Sequence, residues 1–155
     1  MRPASTWVHR LAVIGSALAA LSSGPADAHK LKVKDLEIVH PNTTEPADPS
    51  IKDVVVLMTI HNAGKTADRL VGATTKMATS TIIQSGASAE DHTIAIPADG
   101  KTAFSKDGPR IELKGLTDAL TGYEMFPLTL TFEKAGTVEA EVMVEENDSA
   151  SENKH

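Results

Sequence analysis

Length, composition and charge limit what this chain can be. Its 155 residues suffice for one domain, and a hydrophobic content of 41% suffices for one packed core. The absence of cysteine excludes disulfide scaffolds, zinc fingers, Cys-ligated iron–sulfur clusters, thiol catalysis and blue-copper sites. With a net charge of −6 and only 3% aromatic residues, nucleic-acid binding is not expected. The six histidines are the residues most informative about function.

Residues 1–28 have the pattern of a cleaved secretory signal peptide. Two arginines precede the apolar run Leu11–Leu21, and residues 26–28 (ADA) form an A-x-A cleavage site. The apolar run is shorter than the ~20 residues that span a bilayer. We therefore expect a periplasmic protein that is not embedded in the membrane. Its mature chain would begin at His29 and carry a charge of −7, because cleavage removes two arginines and one aspartate.

The mature chain has the alternating pattern of β-strands and no helical period. Lys30–Val39 predicts one long strand, and the β-branched run Val54–Ile60 predicts a central one. Further strands are predicted at 69–75, 80–84, 93–96, 102–105, 111–114, 128–132 and 137–144. Residues 133–136 predict a hairpin turn with glycine at positive φ, and the proline-rich segment 41–50 predicts an irregular loop.

These patterns predict a single all-β domain of eight or nine strands. It would span residues 29–145 and be followed by an acidic, flexible tail at residues 146–155.

Four segments of this domain carry a family resemblance. They are Asp68–Ala73 (DRLVGA), Ile96–Gly100 (IPADG), Lys114–Leu116 (KGL) and Pro127–Gly136 (PLTLTFEKAG). In sequence and spacing they resemble the periplasmic copper chaperone family PCu(A)C, over roughly residues 31–145. The resemblance implies a cupredoxin-like Greek-key β-barrel or sandwich, and a role in copper handling rather than in catalysis.

The positions at which that family carries its copper ligands hold other residues here. Gln84 replaces the histidine of the family's L-H-E sequence, and Arg110-Ile111-Glu112 replaces its H-x-M sequence. The segment 86–92, where the family has a methionine-rich hairpin, contains no methionine. Because thioether ligands suit Cu(I), the resemblance does not carry a Cu(I) site over to this chain.

Cleavage after residue 28 would create a different metal site at His29. An N-terminal histidine offers its α-amine and its ring Nδ1 to one ion, and a second histidine completes a planar set of three nitrogens, the histidine brace. Such a set suits Cu(II). His61 and His92 are the candidates for the second ligand, because the predicted strand order returns both to the end of the barrel where His29 lies. The sequence leaves open whether one or both bind.

The sequence assigns no metal-binding role to the remaining histidines of the mature chain. If residues 30–40 form one strand, His40 lies about 30 Å from His29, and His155 falls in the tail. Asp91 or Glu90 is a candidate for an oxygen ligand beside His92. The oligomeric state, and a site shared between two chains through His40, stay open.

Together these features predict a periplasmic Cu(II)-binding protein used in copper trafficking, delivery or storage. Its partners would be the copper ion and a periplasmic or membrane cuproprotein that accepts it. One alternative is a copper-free interaction or assembly module of the same family. The other is a copper-dependent oxidase, which the scarcity of aromatic residues disfavours.

Overall fold

Ten β-strands account for most of residues 30–86 and 92–148, the part of the chain described by the structure, which is a computed structural model. The strands are β1 (Lys30–Val33), β2 (Leu36–Thr44), β3 (Val54–Asn62), β4 (Asp68–Thr74), β5 (Ala78–Gln84), β6 (Ile94–Ile96), β7 (Gly100–Ala103), β8 (Arg110–Leu116), β9 (Met125–Phe132) and β10 (Gly136–Glu145). The predicted signal peptide, His29, Asp91, Glu90 and residues 149–155 lie outside the described residues.

The strands form one strongly curved sheet in the order β5-β8-β3-β2-β10-β9-β4-β6. Two short strands lie off this path, since β1 pairs with β2 and β7 pairs with β3. All pairs are antiparallel except β2 with β10. The Thr81 hydroxyl of β5 donates a hydrogen bond to the carbonyl of Ala73 in β4, which brings two distant parts of this path together. The all-β, barrel-like fold predicted from the sequence is confirmed.

The core lies inside the barrel and comes from alternate residues of the strands. Fully buried side chains include Ile38, Ile60, Leu70, Ile111, Leu130 and Val142, from six different strands. Such side chains each stabilise the fold by roughly 1.5–3 kcal/mol relative to exposure. This alternation is the period-two pattern of the sequence, with polar residues on the outer face.

The predicted strand Lys30–Val39 is wrong in one respect, because it is a hairpin. Val33 pairs with Leu36, and Lys30 pairs with Val39 across the turn. The physical reason is the parity of the apolar residues. Leu31 and Val33 are odd-numbered, whereas the buried Leu36 and Ile38 are even-numbered, so a single straight strand cannot turn both pairs inward. The hairpin also raises the strand count to ten.

The predicted loop at residues 41–50 is wrong for its first four residues, which continue β2 to Thr44. Pro41 is tolerated there because the register between β2 and β3 shifts between Val39 and Asn42, forming a bulge. By contrast, the predicted turn at residues 133–136 is confirmed, and Gly136 has a φ of +88°.

Candidate metal site

Gln84, Arg110 and Glu112, which replace the family's copper ligands, lie together on the outer face of β5 and β8. Gln84 pairs with Arg110, and Ile82 pairs with Glu112, so the three side chains share one face. Arg110 forms an ion pair with Glu112, with Nη2 2.8 Å from Oε1, and the two side chains are only 17% and 16% exposed. A salt bridge therefore occupies the place of the family's H-x-M ligands.

Lys114 and Asp53 extend this ion pair into a line of alternating charges. Lys114 Nζ lies 3.1 Å from Glu112 and 3.3 Å from Asp53. Burial by itself raises the pKa of Glu112, but hydrogen bonds from Lys114 and Arg110 outweigh burial and hold that pKa below its ordinary value. Hydrogen bonds to Glu112 and Asp53 likewise raise the pKa of Lys114. The backbone N–H of Gly115 and the Lys114 ammonium also hold the pKa of Asp53 below its ordinary value, so Asp53, Glu112 and Lys114 are charged at neutral pH.

These residues do not fit a Cu(I) ion. The Gln84 side-chain oxygen is buried and has no hydrogen-bond partner in the structure, but an amide oxygen is a hard ligand, whereas Cu(I) prefers thioethers and thiolates. Arg110 also places a permanent positive charge beside it. The expectation that the Cu(I) site is not carried over is consistent with this geometry.

His61 is exposed near the end of β3. It pairs with Glu37 of β2 on one side and with Lys101 of β7 on the other. Glu37 is itself engaged by two lysines, with Nζ of Lys30 at 3.9 Å and Nζ of Lys32 at 3.7 Å. His61 also borders a shallow groove formed with the turn at 97–100. Its immediate surroundings are therefore rich in ammonium groups, which compete with a metal cation for the nearby carboxylate.

His92 lies two residues before β6. Its Nδ1 is 3.4 Å from the carbonyl oxygen of Ile83, at the end of β5. The strand that follows it pairs with β4, whereas His61 belongs to the β2–β3–β7 side of the barrel. Within residues 30–86 and 92–148, no group of three or more His, Cys, Asp or Glu residues could hold a metal ion. The histidine brace with His29 thus stays a prediction.

His40 occupies a different position from the one inferred from the sequence. Because residues 30–40 form a hairpin, Lys30 lies opposite Val39, and the 30 Å separation expected for one strand is wrong. The His40 side chain is 47% exposed, and its Nε2 lies 2.9 Å from Oε1 of Glu145. Sequence reasoning missed this pair. The change in apolar parity between Val33 and Leu36 was the available signal for the turn.

No helix within the described ranges is long and apolar enough to cross a membrane.

Three solved structures share this fold. The apo PCuAC domain of PmoF1 is 26% identical with a TM-score of 0.73, and the match covers 77% of this chain and 100% of that domain. The copper-bound PCuAC domain of PmoF2 is 24% identical with a TM-score of 0.70, covering 77% and 99%. The Cu(I) form of DR1885 from Deinococcus radiodurans is 29% identical with a TM-score of 0.59, covering 79% and 85%.

A search of curated proteins finds no match. The family model of LpqE-like lipoproteins matches residues 31–144, which is most of the chain. The resemblance drawn from the four sequence segments is confirmed by this match and by the PCuAC structures. The chain belongs to the LpqE-like family, and its barrel is of the PCuAC type.

Proposed function

We propose that this protein carries copper outside the cytoplasm and holds it as Cu(II) in a histidine brace at the mature N-terminus. The observation that carries the copper proposal is the likeness to DR1885, whose structure contains Cu(I), over 79% of this chain. The signal-peptide pattern of residues 1–28 supports export and a mature chain that begins at His29. The protein would hand its copper to a periplasmic or membrane cuproprotein.

The change from Cu(I) to Cu(II) is proposed because of the donor set. Paired charges at Arg110 and Glu112 stand where a Cu(I) site would need soft ligands. His29 would contribute its α-amine and ring Nδ1, and a second histidine would complete the planar nitrogen set. His61 and His92 are the candidates from the sequence.

The same ion pair also favours a second candidate function, a copper-free interaction module. A family member that has filled its metal position with Arg110 and Glu112 could keep the barrel for docking alone. This candidate predicts that the mature protein binds no copper at all.

The test is a Cu(II) titration of the protein exported with its own signal peptide, after mass spectrometry has verified that it begins at His29. We expect one tightly bound Cu(II), nitrogen hyperfine structure in the electron paramagnetic resonance (EPR) spectrum, and no turnover of hydrogen peroxide or polysaccharide. The matched control carries one extra alanine before His29, which moves the free amine away from the ring and should lower the affinity at least 100-fold.

Each other outcome contradicts part of the proposal. Equal affinity with the extra alanine would reject the brace, and the absence of copper binding in both proteins would reject the carrier role in favour of the copper-free module. Copper-dependent turnover of peroxide or polysaccharide would instead support an oxidase.

A further inference from the structure

The β9–β10 hairpin brings together two methionines that lie far apart in the sequence. Met125, at the start of β9, pairs with Met143, near the end of β10. Their strand neighbours Phe126 and Val142 are buried, so the two methionines point to the outer face of the barrel. Met125 is 46% exposed, and Met143 is partly buried. Two thioether groups therefore lie side by side at the protein surface.

The hydrogen bonds beside this pair bring its two side chains as close as an antiparallel ladder allows. The N–H of Val144 donates to the carbonyl of Glu124 at 2.8 Å, so Val144 and Glu124 form a hydrogen-bonded pair. Hydrogen-bonded and non-hydrogen-bonded pairs alternate along such a ladder, which makes Met125 and Met143 a non-hydrogen-bonded pair. In pairs of this kind the Cα atoms are only about 4.5 Å apart, and the side chains lie closer together.

A β-bulge at Tyr123 ends the ladder directly beside the methionine pair. The carbonyl of Val144 accepts its hydrogen bond from the N–H of Tyr123 at 2.7 Å, so Tyr123 and Glu124 both face one residue of β10. Tyr123 has a φ of +68° at the bulge position where glycine is usual, and its side chain is 74% exposed. Bulges are frequent beside functional sites, and a backbone outlier of this kind supports a functional hypothesis for the surface that it borders.

Two opposed thioethers are a donor pair for a soft, monovalent metal ion. Thioether sulfur favours Cu(I). With metal–sulfur bonds of about 2.3 Å, the length found for zinc, an ion between two sulfurs needs them about 4.6 Å apart. That distance matches the Cβ separation of about 4.5–5.5 Å between directly opposite residues. Methionine is also unbranched and has three rotatable bonds, so its sulfur can adjust to the ion.

The charges around the pair favour a cation. Glu141 and Glu145 lie two residues before and after Met143 in β10, which places both on the same outer face. Glu141 stands opposite the uncharged Pro127, and Glu145 contacts the ring of His40 at 2.9 Å. The chain as a whole carries a net charge of −6. A negative surface of this kind raises the local concentration of cations.

From this arrangement we infer that Met125 and Met143 form a binding site for Cu(I) on the outer face of the barrel, separate from the histidine brace. The inference goes beyond the proposed function, because it gives the protein a place for copper in its reduced state. It requires neither cleavage before His29 nor any histidine ligand. It also lies on other strands than Arg110 and Glu112, whose paired charges do not suit a soft ion.

Nuclear magnetic resonance (NMR) of the exported protein, labelled with methyl-¹³C methionine, tests which thioethers bind. Ag(I) is the probe because it is a soft monovalent ion like Cu(I) and is not oxidised by air. The mature chain contains four methionines, Met58, Met77, Met125 and Met143. We expect the methyl signals of Met125 and Met143 to shift together as Ag(I) is added, and those of the other two to stay in place. Shifts at Met58 or Met77 instead, or at none of the four, would overturn the inference.

Substitution by leucine, which nearly conserves volume, measures the contribution of each thioether to Cu(I) binding. In anaerobic competition with the Cu(I) chelator bicinchoninate, Met125→Leu and Met143→Leu should each lower the Cu(I) affinity roughly tenfold or more. Met77→Leu is the matched control, because Met77 is also partly buried but packs against the core. It should stay within about twofold of the unsubstituted protein. Circular dichroism and thermal unfolding without metal check that each variant is folded.

Cu(II) titration of the same variants separates this site from the brace. Met125→Leu and Met143→Leu should keep the Cu(II) affinity of the unsubstituted protein, since the brace uses only nitrogen ligands. Unchanged Cu(I) affinity in both leucine variants would overturn the inference and leave the proposed function standing. Loss of Cu(II) binding in the unsubstituted protein, with Cu(I) still bound, would reject the brace and leave the methionine site standing.

Discussion

Asp68 is a largely buried carboxylate, only 8% exposed, that ties two parts of the barrel together. It accepts hydrogen bonds from the backbone N–H groups of Arg69, Lys134 and Ala135 at 2.7–2.9 Å. The start of β4 is thereby fastened to the turn between β9 and β10. Burial raises the pKa of Asp68, but the three N–H groups together outweigh it and hold the pKa below its ordinary value.

Asp68→Ala should lower the free energy of unfolding by about 3 kcal/mol at pH 7, because it leaves three backbone N–H groups without their acceptor. The lowered pKa contributes stability that is present above the unfolded value of about 3.9 and is lost as the pH falls through the folded value. The difference from the unsubstituted protein should therefore shrink below about pH 4. Urea unfolding at pH 7 and pH 3 measures both effects. Glu133→Ala, which removes an exposed partner of Arg69 at 3.9 Å, should change the stability by less than about 0.5 kcal/mol.

At the residue scale, the sequence predicted which copper ligands are missing and which residues replace them, but not how those residues contact one another. Gln84, Arg110 and Glu112 could be recognised as substitutions from the motif spacing alone. Their contact could not, because Gln84 and Arg110 are neighbours only through the register of β5 with β8. The His40–Glu145 pair was hidden for the same reason, since its partners are 105 residues apart and meet across β2 and β10.

At the scale of elements, the Lys34–Asp35 turn folds β1 back onto β2 and so decides where β1 lies on the sheet. Lys34 has a φ of +50°, at a loop position where two-residue hairpins favour glycine or asparagine. Its side chain donates a hydrogen bond to the carbonyl of Lys134 at 3.1 Å, an exposed contact that offsets part of the backbone cost.

Lys34→Gly should therefore raise the free energy of unfolding by about 0.5 kcal/mol, since glycine relieves the positive φ at the loss of one exposed hydrogen bond. The matched control is Lys32→Gly within β1. There glycine relieves no positive φ; it increases the backbone entropy of the unfolded chain and removes an ion pair with Glu37. That control should lower the stability by about 0.5–1 kcal/mol. Urea unfolding of both variants decides the matter, and destabilisation by Lys34→Gly would mean that the turn does not require positive φ.

The strands themselves could be predicted well where one face is buried, because a one-residue slip would expose the whole apolar set. β9 and β10 were found on that basis, whereas β3 was predicted from its β-branched apolar run. The two errors, the turn after Val33 and the continuation of β2 through Pro41, both fall where a tight turn or bulge changes the face that a residue presents. A period-two pattern cannot distinguish such a change from the end of a strand.

At the scale of the whole molecule, bound copper should raise the free energy of unfolding of a barrel that has no disulfide. The chain contains no cysteine, so no disulfide contributes to its stability. A ligand that binds only the folded state stabilises it by about 2.7 kcal/mol at 100 times its dissociation constant. Since the proposed brace needs His29 and a second histidine to be held together by the folded chain, unfolding would break the site.

Cu(II) at that concentration should raise the midpoint of thermal unfolding by about 10 °C for a domain of this size, and removal of the metal with EDTA should restore the original midpoint. Differential scanning calorimetry measures the shift, with Zn(II) as a comparison ion that a three-nitrogen planar site binds less tightly. The protein with an extra alanine before His29 is the control, because it keeps the same barrel and the same ring but offers no free amine beside it. An equal copper-induced shift in that control would place the stabilising ion elsewhere on the barrel, and no shift in either protein would argue for the copper-free module.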